Sequence, residues 1–186
     1  MKIFKIIIVS FMFANIASSN VTDEIIQKLN ETNNIVFNFE QKTSDQIEKG
    51  KCSLLFPGNL RCIYDGVEQK EVLIKNNNLY VIKHKFKRSY RYPIKNTAFS
   101  ILLDKNKIFQ NLKLVDISEV QETSFGYLYE VKKEGILIKI YFNKDTRLLK
   151  GWETISYNQE TVKFNIVDPK INIELKEKFK LPDYNF

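Results

Sequence analysis

Alternating apolar and polar residues flank a turn signal at Pro57-Gly58-Asn59. Proline and glycine beside asparagine favour a tight turn, and the flanking runs carry strand-forming residues, so the pattern predicts an antiparallel hairpin. Side chains of a strand point alternately to its two faces. One face of this hairpin is therefore apolar and consists of Cys52, Leu54, Phe56, Leu60, Cys62 and Tyr64. Because a single hairpin is unstable in water, that face needs further strands or a helix over it.

The rest of the chain continues this strand pattern. Residues 35–41 alternate with an aromatic face, and residues 71–75 and 79–84 flank asparagines, which tolerate the positive φ angles of tight turns. Further strands are predicted at residues 112–120, 125–132, 136–143, 147–156 and 161–167. Short strands at regular spacing indicate an antiparallel meander. Residues 21–30 differ, because their apolar positions follow the spacing of an amphipathic helix.

The N-terminal segment, residues 1–19, has a different composition from the rest. Lys2 and Lys5 precede an apolar run over residues 6–13, and small residues follow at 17–19. This is the three-part layout of a secretory signal peptide, and the apolar run is too short to span a membrane as a helix. We therefore predict cleavage after this segment and an exported, soluble protein. The remaining residues, 20–186, suffice for a single domain with its own core.

The two cysteines, Cys52 and Cys62, lie symmetrically about residue 57. In a hairpin centred there they face each other directly, and an oxidising compartment permits a disulfide. Bridging depends on a Cα separation that the sequence does not supply. Two interpretations therefore stay open: a cross-strand disulfide, or two small buried apolar side chains.

No catalytic constellation is found in the sequence. The only histidine, His84, lies among lysines and arginines that oppose its protonation, which makes it a poor general base. The nucleophile elbow, the zinc-protease helix motif and the glycine-rich phosphate loop are missing, and no zinc-ligand spacing is present. We predict that the protein is not an enzyme and uses no metal and no cofactor. A small periplasmic hydrolase is the least favoured alternative.

Several motifs follow one another along the chain, namely Phe39-x-Gln41, the apolar segment 97–103, the strand pair 148–166 and the closing Phe179-x-x-Pro182. The central hairpin adds Gly50, Leu54, Pro57, Leu60, Arg61 and Tyr64. These motifs and their order resemble those of the LolA family of periplasmic lipoprotein carriers. The resemblance implies a mainly β fold with a few helices: a curved, antiparallel, half-open β-barrel with a helical lid over a hydrophobic cavity.

The resemblance also implies a function. A periplasmic carrier, or chaperone, of this family holds the acyl chains of lipoproteins in the hollow and moves them from the inner to the outer membrane. Its partners are acylated lipoproteins as cargo, an inner-membrane lipoprotein-releasing ABC transporter and an outer-membrane acceptor lipoprotein. The alternative of the same fold is a binding module that senses lipids or lipoproteins.

Strand alternation and the resemblance together predict the side chains that line the hollow. They are Ile35, Phe37, Phe39, Leu54, Phe56, Leu60, Cys62, Tyr80, Ile82, Phe99, Leu102, Leu103 and Trp152. In better-known members an arginine precedes the proline of the central turn and holds the lid by hydrogen bonds. Phe56 occupies that position here, and a phenylalanine closes a lid only by apolar packing.

The basic segment, residues 83–95, interleaves six lysines or arginines with Phe86, Tyr90 and Tyr92. The plainer interpretation is a solvated hairpin, because long basic side chains usually face water. The alternative is a docking site for an acidic patch on the transporter or acceptor. Its predicted contacts are Lys83, Lys85, Lys87, Arg88 and Arg91. Export excludes nucleic acid as a partner, and we expect a monomer.

Overall fold

The computed structural model describes residues 20–95, 97–133, 135–155, 159–175 and 179–184. The helices are α1 (Val21–Glu31), α2 (Phe99–Leu102) and α3 (Lys105–Leu114). The strands are β1 (Asn34–Thr43), β2 (Gln46–Leu55), β3 (Asn59–Tyr64), β4 (Lys70–Lys75), β5 (Asn78–Lys83), β6 (Arg88–Pro93), β7 (Gln121–Glu122), β8 (Tyr127–Lys133), β9 (Ile136–Phe142), β10 (Leu149–Ile155) and β11 (Thr161–Ile171). The predicted signal peptide, residues 1–19, lies outside the described residues, so its cleavage and the domain boundary stay predictions.

All the strands belong to one antiparallel sheet with the order β6-β5-β4-β3-β2-β1-β11-β10-β9-β8-β7. The predicted central hairpin is β2–β3, in which Cys52 faces Cys62 and Leu54 faces Leu60. In the described part of the chain the end strands β6 and β7 do not pair with each other. The sheet therefore stays open as a half-barrel, as the predicted fold class requires.

The turns follow from residues that tolerate unusual backbone angles. Asn76 and Asn77 connect β4 to β5 with φ values of 51° and 60°. Two successive residues in the left-handed region form the type of turn that matches the twist of an antiparallel hairpin. The predicted second hairpin is thus confirmed.

The prediction of a strand over residues 112–120 is wrong. Helix α3 runs through Leu114, and a short 3₁₀ turn follows at Ile117–Glu119. The Asp104 side chain caps α3 by accepting hydrogen bonds from the backbone N–H groups of Asn106 and Lys107. Ile108 and Leu112, four residues apart, are buried, whereas Leu114 is exposed, so burial in this segment follows the period of a helix and not that of a strand.

The main core lies on the concave side of the sheet. It combines buried residues of β1–β4 and β8–β11 with residues of all three helices. A disulfide joins Cys52 and Cys62 within this core, with the Cα atoms 4.1 Å apart. The helices therefore cover the apolar face that an open sheet cannot bury by itself.

At Gly50 the sheet leaves no room for a side chain. A Cβ atom there would lie 2.1 Å from the Ile63 carbonyl oxygen and 2.8 Å from a Phe39 ring carbon. We expect Gly50→Ala to lower the free energy of unfolding by about 2–3 kcal/mol, because the clash involves backbone that cannot move freely. Urea denaturation measures this, with exposed Lys51→Ala as the control. Equal stability of the two variants would contradict the close packing.

Candidate functional site

The concave core brings most of the predicted hollow residues together. Phe56 and Phe99 are half-buried and pack against this cluster. Its fully buried members among the predicted residues are Ile35, Phe37, Phe39, Leu54, Leu60, Cys62, Leu102, Leu103 and Trp152. In this structure the helices cover these side chains, so they form a closed apolar core. A ligand reaches them only if part of the helical cover moves.

Tyr80 and Ile82 do not lie on the concave side, and the prediction that they share the hollow is wrong. Tyr80 pairs with Leu73, and Leu73 pairs with Arg61 on the convex face. Tyr80, Ile82 and Leu73 form a separate cluster, against which Phe179 and Tyr184 pack. The alternation of β5 is one residue out of phase with the prediction, and such a shift moves every side chain to the other face.

A row of aromatic rings runs through the concave core. Phe99 of α2 meets Trp152 edge to face at 6.4 Å between ring centroids. Trp152 stacks on Phe164 at 4.2 Å, and Phe164 stacks on Phe39 at 4.8 Å. Tyr64 ends the row, 4.8 Å from Phe39. The row extends from α2 across β10, β11 and β1 to Tyr64 of β3, as a series of rings in contact inside the core.

Phe164 and Tyr64 are absent from the predicted site residues. Phe164 and Ile166 of β11 alternate with polar residues, and the side chains of Phe164 and Ile166 are both buried. That alternation predicts an inward-facing aromatic residue. Tyr64 belongs to the predicted apolar face of the hairpin, and that face lies in the concave core.

Polar side chains close the end of the row at Tyr64. The Tyr64 hydroxyl donates to Gln41 Oε1 at 2.9 Å, and Lys70 Nζ lies 3.8 Å from the centre of the Tyr64 ring. Lys70 also forms an ion pair with Glu48. Burial, reinforced by the charge of Glu48, raises the pKa of Tyr64 far above its ordinary value, so the hydroxyl stays a neutral donor.

Helix α1 is fixed to the sheet by specific polar contacts. The Thr22 hydroxyl lies 2.9 Å from the hydroxyl of Tyr129, a fully buried residue of β8. Arg147 Nε donates to Glu24 at 2.7 Å. These contacts join residues more than a hundred positions apart and attach α1 to β8 and to the connection between β9 and β10.

Helix α2 is attached differently. Between described residues, the backbone hydrogen bond that joins the 98–103 segment to the sheet runs from the Gly58 N–H group to the Leu103 carbonyl, at 2.8 Å. The other polar contacts of this segment are local, such as Ser100 Oγ donating to the Thr97 carbonyl. Apolar contacts of Ala98, Ile101 and Leu102 supply the rest of its attachment. We name this segment, residues 98–103, the cover.

Phe56 and Lys105 lie beside the cover. Phe56 packs on the core, and Lys105 Nζ is 5.5 Å from the centre of its ring. The same ammonium group donates to the Asn30 carbonyl at 3.2 Å. Burial lowers the pKa of Lys105. Phe56 thus contributes apolar packing beside the cover, and the Gly58 N–H group contributes a backbone hydrogen bond to it.

A cleft of about 610 Å³ opens where the cover meets two turns of the sheet. Phe99 and Leu103 of the cover form part of its lining, together with Ile94. The remaining lining residues are mostly polar and belong to the turns 57–59 and 76–78 and to residues 93–95, 100, 104 and 107. Its volume lies within the range of small-molecule sites.

The convex face carries a buried ion pair below the C-terminal segment. The carboxylate of Glu71, with its side chain 4% exposed, accepts from Arg61 Nε at 2.8 Å and lies 2.9 Å from His84 Nε2. His84 Nδ1 is 3.2 Å from the Tyr184 hydroxyl. Burial alone would raise the pKa of Glu71, but the hydrogen bonds from Arg61 and His84 outweigh burial and lower it. His84 therefore has a structural environment.

The predicted docking residues lie along the β5–β6 hairpin. Lys83 forms an ion pair with Glu68 at 2.9 Å. Lys85, Lys87, Arg88 and Arg91 are exposed. Nothing in the structure tests their role in docking, which stays a prediction.

Among the described residues, no group of three or more histidines, cysteines or carboxylates is arranged to hold a metal ion. None of the helices in that part of the chain has the length and apolar character needed to cross a bilayer.

The sequence matches the family model of the outer membrane lipoprotein carrier protein LolA over residues 30–181. A comparison with curated proteins found no match. Proteins of this family bind and carry ligands, and the family is not a family of enzymes.

Solved structures resemble this fold at low sequence identity. An uncharacterized conserved protein from Thermus thermophilus is 8% identical with a TM-score of 0.50, over 88% of this chain and 93% of that chain. The LolA superfamily protein NE2245 from Nitrosomonas europaea is 10% identical with a TM-score of 0.38, over 87% and 95%. A chain of the MucA/MucB complex of Pseudomonas aeruginosa is 8% identical with a TM-score of 0.47, over 88% and 62%. Identities this low concern the fold alone.

The lowered pKa of Glu71 predicts an acid dependence of stability. A carboxyl group whose pKa is lower in the folded than in the unfolded state stabilises the fold above its ordinary pKa of 4.5 and loses this effect as the pH falls through the lowered value. We expect Glu71→Gln to lower the free energy of unfolding at pH 7 by about 3 kcal/mol, since it removes the buried anion that Arg61 and His84 both contact. The variant should also lose less stability than the parent between pH 6 and pH 3.

Urea denaturation at several pH values measures both effects. Glu68→Gln is the matched control, because the Glu68–Lys83 pair is exposed and contributes little. If Glu71→Gln and the parent lose stability in parallel on acidification, Glu71 is not the group responsible.

Proposed function

The chain belongs to the LolA family of outer membrane lipoprotein carrier proteins, and from this premise we propose that it is a periplasmic carrier for the acyl chains of lipoproteins. It takes acylated lipoproteins released by an inner-membrane ABC transporter and delivers them to an outer-membrane acceptor lipoprotein. The export signal predicted at residues 1–19 is consistent with this location.

The observation that carries the proposal is the loosely attached cover over an aromatic row. The concave face holds buried apolar side chains, yet the cover shares one backbone hydrogen bond, Gly58 to Leu103, with the sheet in the described part of the chain. Apolar contacts are non-directional, so acyl chains can replace the side chains of the cover at the loss of that one backbone hydrogen bond. Elements that move are drawn from the less stable parts of a fold.

The energetics of the cargo explain why a carrier must enclose it. Each CH₂ group removed from water contributes about 0.8 kcal/mol, so a triacylated anchor does not leave a membrane unaided. The closed core of the unloaded protein keeps its own aromatic row out of water. Exchange of the cover for acyl chains leaves the buried apolar area similar in the two states, which permits both loading and release.

The cleft between the cover and the turns of the sheet is the access route that we propose. Phe99 and Leu103 lie at its base and belong to the cover. Displacement of these two side chains exposes Trp152, which contacts the Phe99 ring. Acyl chains entering there would then extend along Phe164 and Phe39 toward Tyr64.

Trp152 provides the direct test, because it is the only tryptophan of the chain. It is 6% exposed and stacked on Phe164. We expect a saturable change of its fluorescence when a synthetic triacylated cysteine lipopeptide is added. The same peptide without acyl chains is the control and should leave the emission unchanged. Absence of a saturable change, or an equal change with both peptides, would contradict binding of acyl chains at the aromatic row.

A further inference from the structure

The edge strand β6 and the turn before it expose aromatic side chains that the proposed carrier cavity does not use. Phe86 is 50% exposed, Tyr90 42% and Tyr92 52%. The strand pairs with β5 on one side and ends the sheet on the other. Large apolar surface left in water at one edge of a fold indicates an interaction surface.

Cationic side chains surround these aromatic residues. Lys87, Arg88 and Arg91 are exposed, and within the residues that the structure describes they form no ion pair. Lys83, by contrast, is neutralised by Glu68 at 2.9 Å. The surface therefore presents positive charge that no carboxylate of the described residues pairs with.

The register fixes the directions in which these side chains point. Tyr90 pairs with Val81 and Tyr92 with Leu79, on the concave side but beyond the helices that fill its centre. Arg91 pairs with Tyr80 and extends from the other face of the edge strand. Phe86 belongs to the 3₁₀ turn His84–Phe86 at the end of the hairpin. The aromatic residues thus line one edge of the half-barrel from the hairpin end toward the cover.

The turn that carries Phe86 is held in place from below. His84 Nε2 contacts the buried carboxylate of Glu71, and His84 Nδ1 contacts the Tyr184 hydroxyl. The backbone N–H of His84 donates to the Gln69 carbonyl at 3.3 Å. Phe86 is therefore exposed on a turn that these contacts fix to the rest of the fold.

We propose that this edge patch, defined as Phe86, Lys87, Arg88, Tyr90, Arg91 and Tyr92, docks the protein on an anionic membrane surface. Tyrosine side chains suit the boundary between headgroups and acyl chains, because the ring is apolar and the hydroxyl is polar. Lysine and arginine side chains are attracted to anionic headgroups and keep their charges in water while their stems lie on apolar surface. One exposed phenylalanine and two tyrosines allow shallow, reversible insertion.

The exposed rings favour a lipid surface over an acidic protein. An acidic protein patch would balance the cations, but it supplies no apolar partner for three aromatic side chains that are spaced along an edge. A membrane interface satisfies both requirements at once. The proposal extends the proposed carrier function, since docking through β6 brings the uncovered rim of the concave face to the bilayer that holds the acyl chains. Vesicle binding by the unloaded protein nevertheless does not depend on that function.

Co-sedimentation with vesicles tests the proposal. One set of vesicles contains phosphatidylcholine and phosphatidylglycerol at a ratio of about 7:3, and the other contains phosphatidylcholine alone, so that anionic attraction is isolated. We expect the unloaded protein to sediment with the anionic vesicles and to dissociate as ionic strength rises, because salt screens exposed charges. It should not sediment with the neutral vesicles.

Two variants and a matched control locate the site. Lys87→Glu/Arg88→Glu/Arg91→Glu should weaken binding about tenfold or more, and Phe86→Ser/Tyr90→Ser/Tyr92→Ser should weaken it several-fold without a change of charge. Lys51→Glu/Lys113→Glu/Lys170→Glu alters the net charge equally at exposed positions elsewhere and should bind like the parent, apart from a small general loss. Thermal unfolding verifies that each variant is folded.

Failure to sediment with anionic vesicles would overturn the proposal, as would an equal loss in the edge-patch and control charge variants. If vesicle binding is absent and the edge-patch charge variant slows delivery of a lipopeptide to an acceptor protein, the patch docks an acidic protein instead. Lipopeptide binding measured in parallel by Trp152 fluorescence separates this result from failure of the carrier function.

Discussion

The apolar contact between an open sheet and separate helices is the interaction on which the rest of this structure depends. A closed barrel buries its inner side chains by itself, but this sheet ends at β6 and β7, which do not pair with each other within the described residues. Ile25 and Leu29 of α1, with Ile108 and Leu112 of α3, complete the core from outside the sheet. Because such contacts are non-directional, the same concave face can be covered by protein side chains or by acyl chains.

The elements around this face differ in how firmly they are attached. The wall is rigid where backbone packs on backbone at Gly50, where Cys52 and Cys62 are bonded, and where α1 is joined to the sheet through Tyr129 and Arg147. The cover has the Gly58–Leu103 hydrogen bond and apolar contacts. In the proposed carrier, this division puts the element that exchanges with cargo at one end of the aromatic row, while polar contacts of Tyr64 close the other end. A carrier requires both, since the hollow must keep its shape while its cover exchanges with cargo.

Much of the fold could be predicted because local signals agreed with the final structure. The turn at Pro57–Asn59 set the β2–β3 register, and with it the cysteine pairing and the positions of Leu54 and Leu60. Two errors have a common physical cause, namely that short apolar runs do not reveal period or phase by themselves. Leu112 belongs to a helix capped by Asp104, and Tyr80 points to the convex face because Leu79 and Val81 occupy the concave one. The Gly58–Leu103 bond and the Phe164 stack depend on contacts between distant segments, which alternation alone does not give.

Movement of the cover on loading can be measured directly as a change in the distance between the cover and the sheet. One spin label replaces Ser100 on the cover and a second replaces Lys170 on β11, with the native disulfide kept oxidised. Pulsed electron paramagnetic resonance then gives the distance distribution with and without the triacylated lipopeptide. We expect a single population of short distances between the two labels in the unloaded protein, and a shifted or broadened population after loading. An unchanged distribution at a lipopeptide concentration that saturates Trp152 fluorescence would contradict it, because cargo would then bind without displacing the cover.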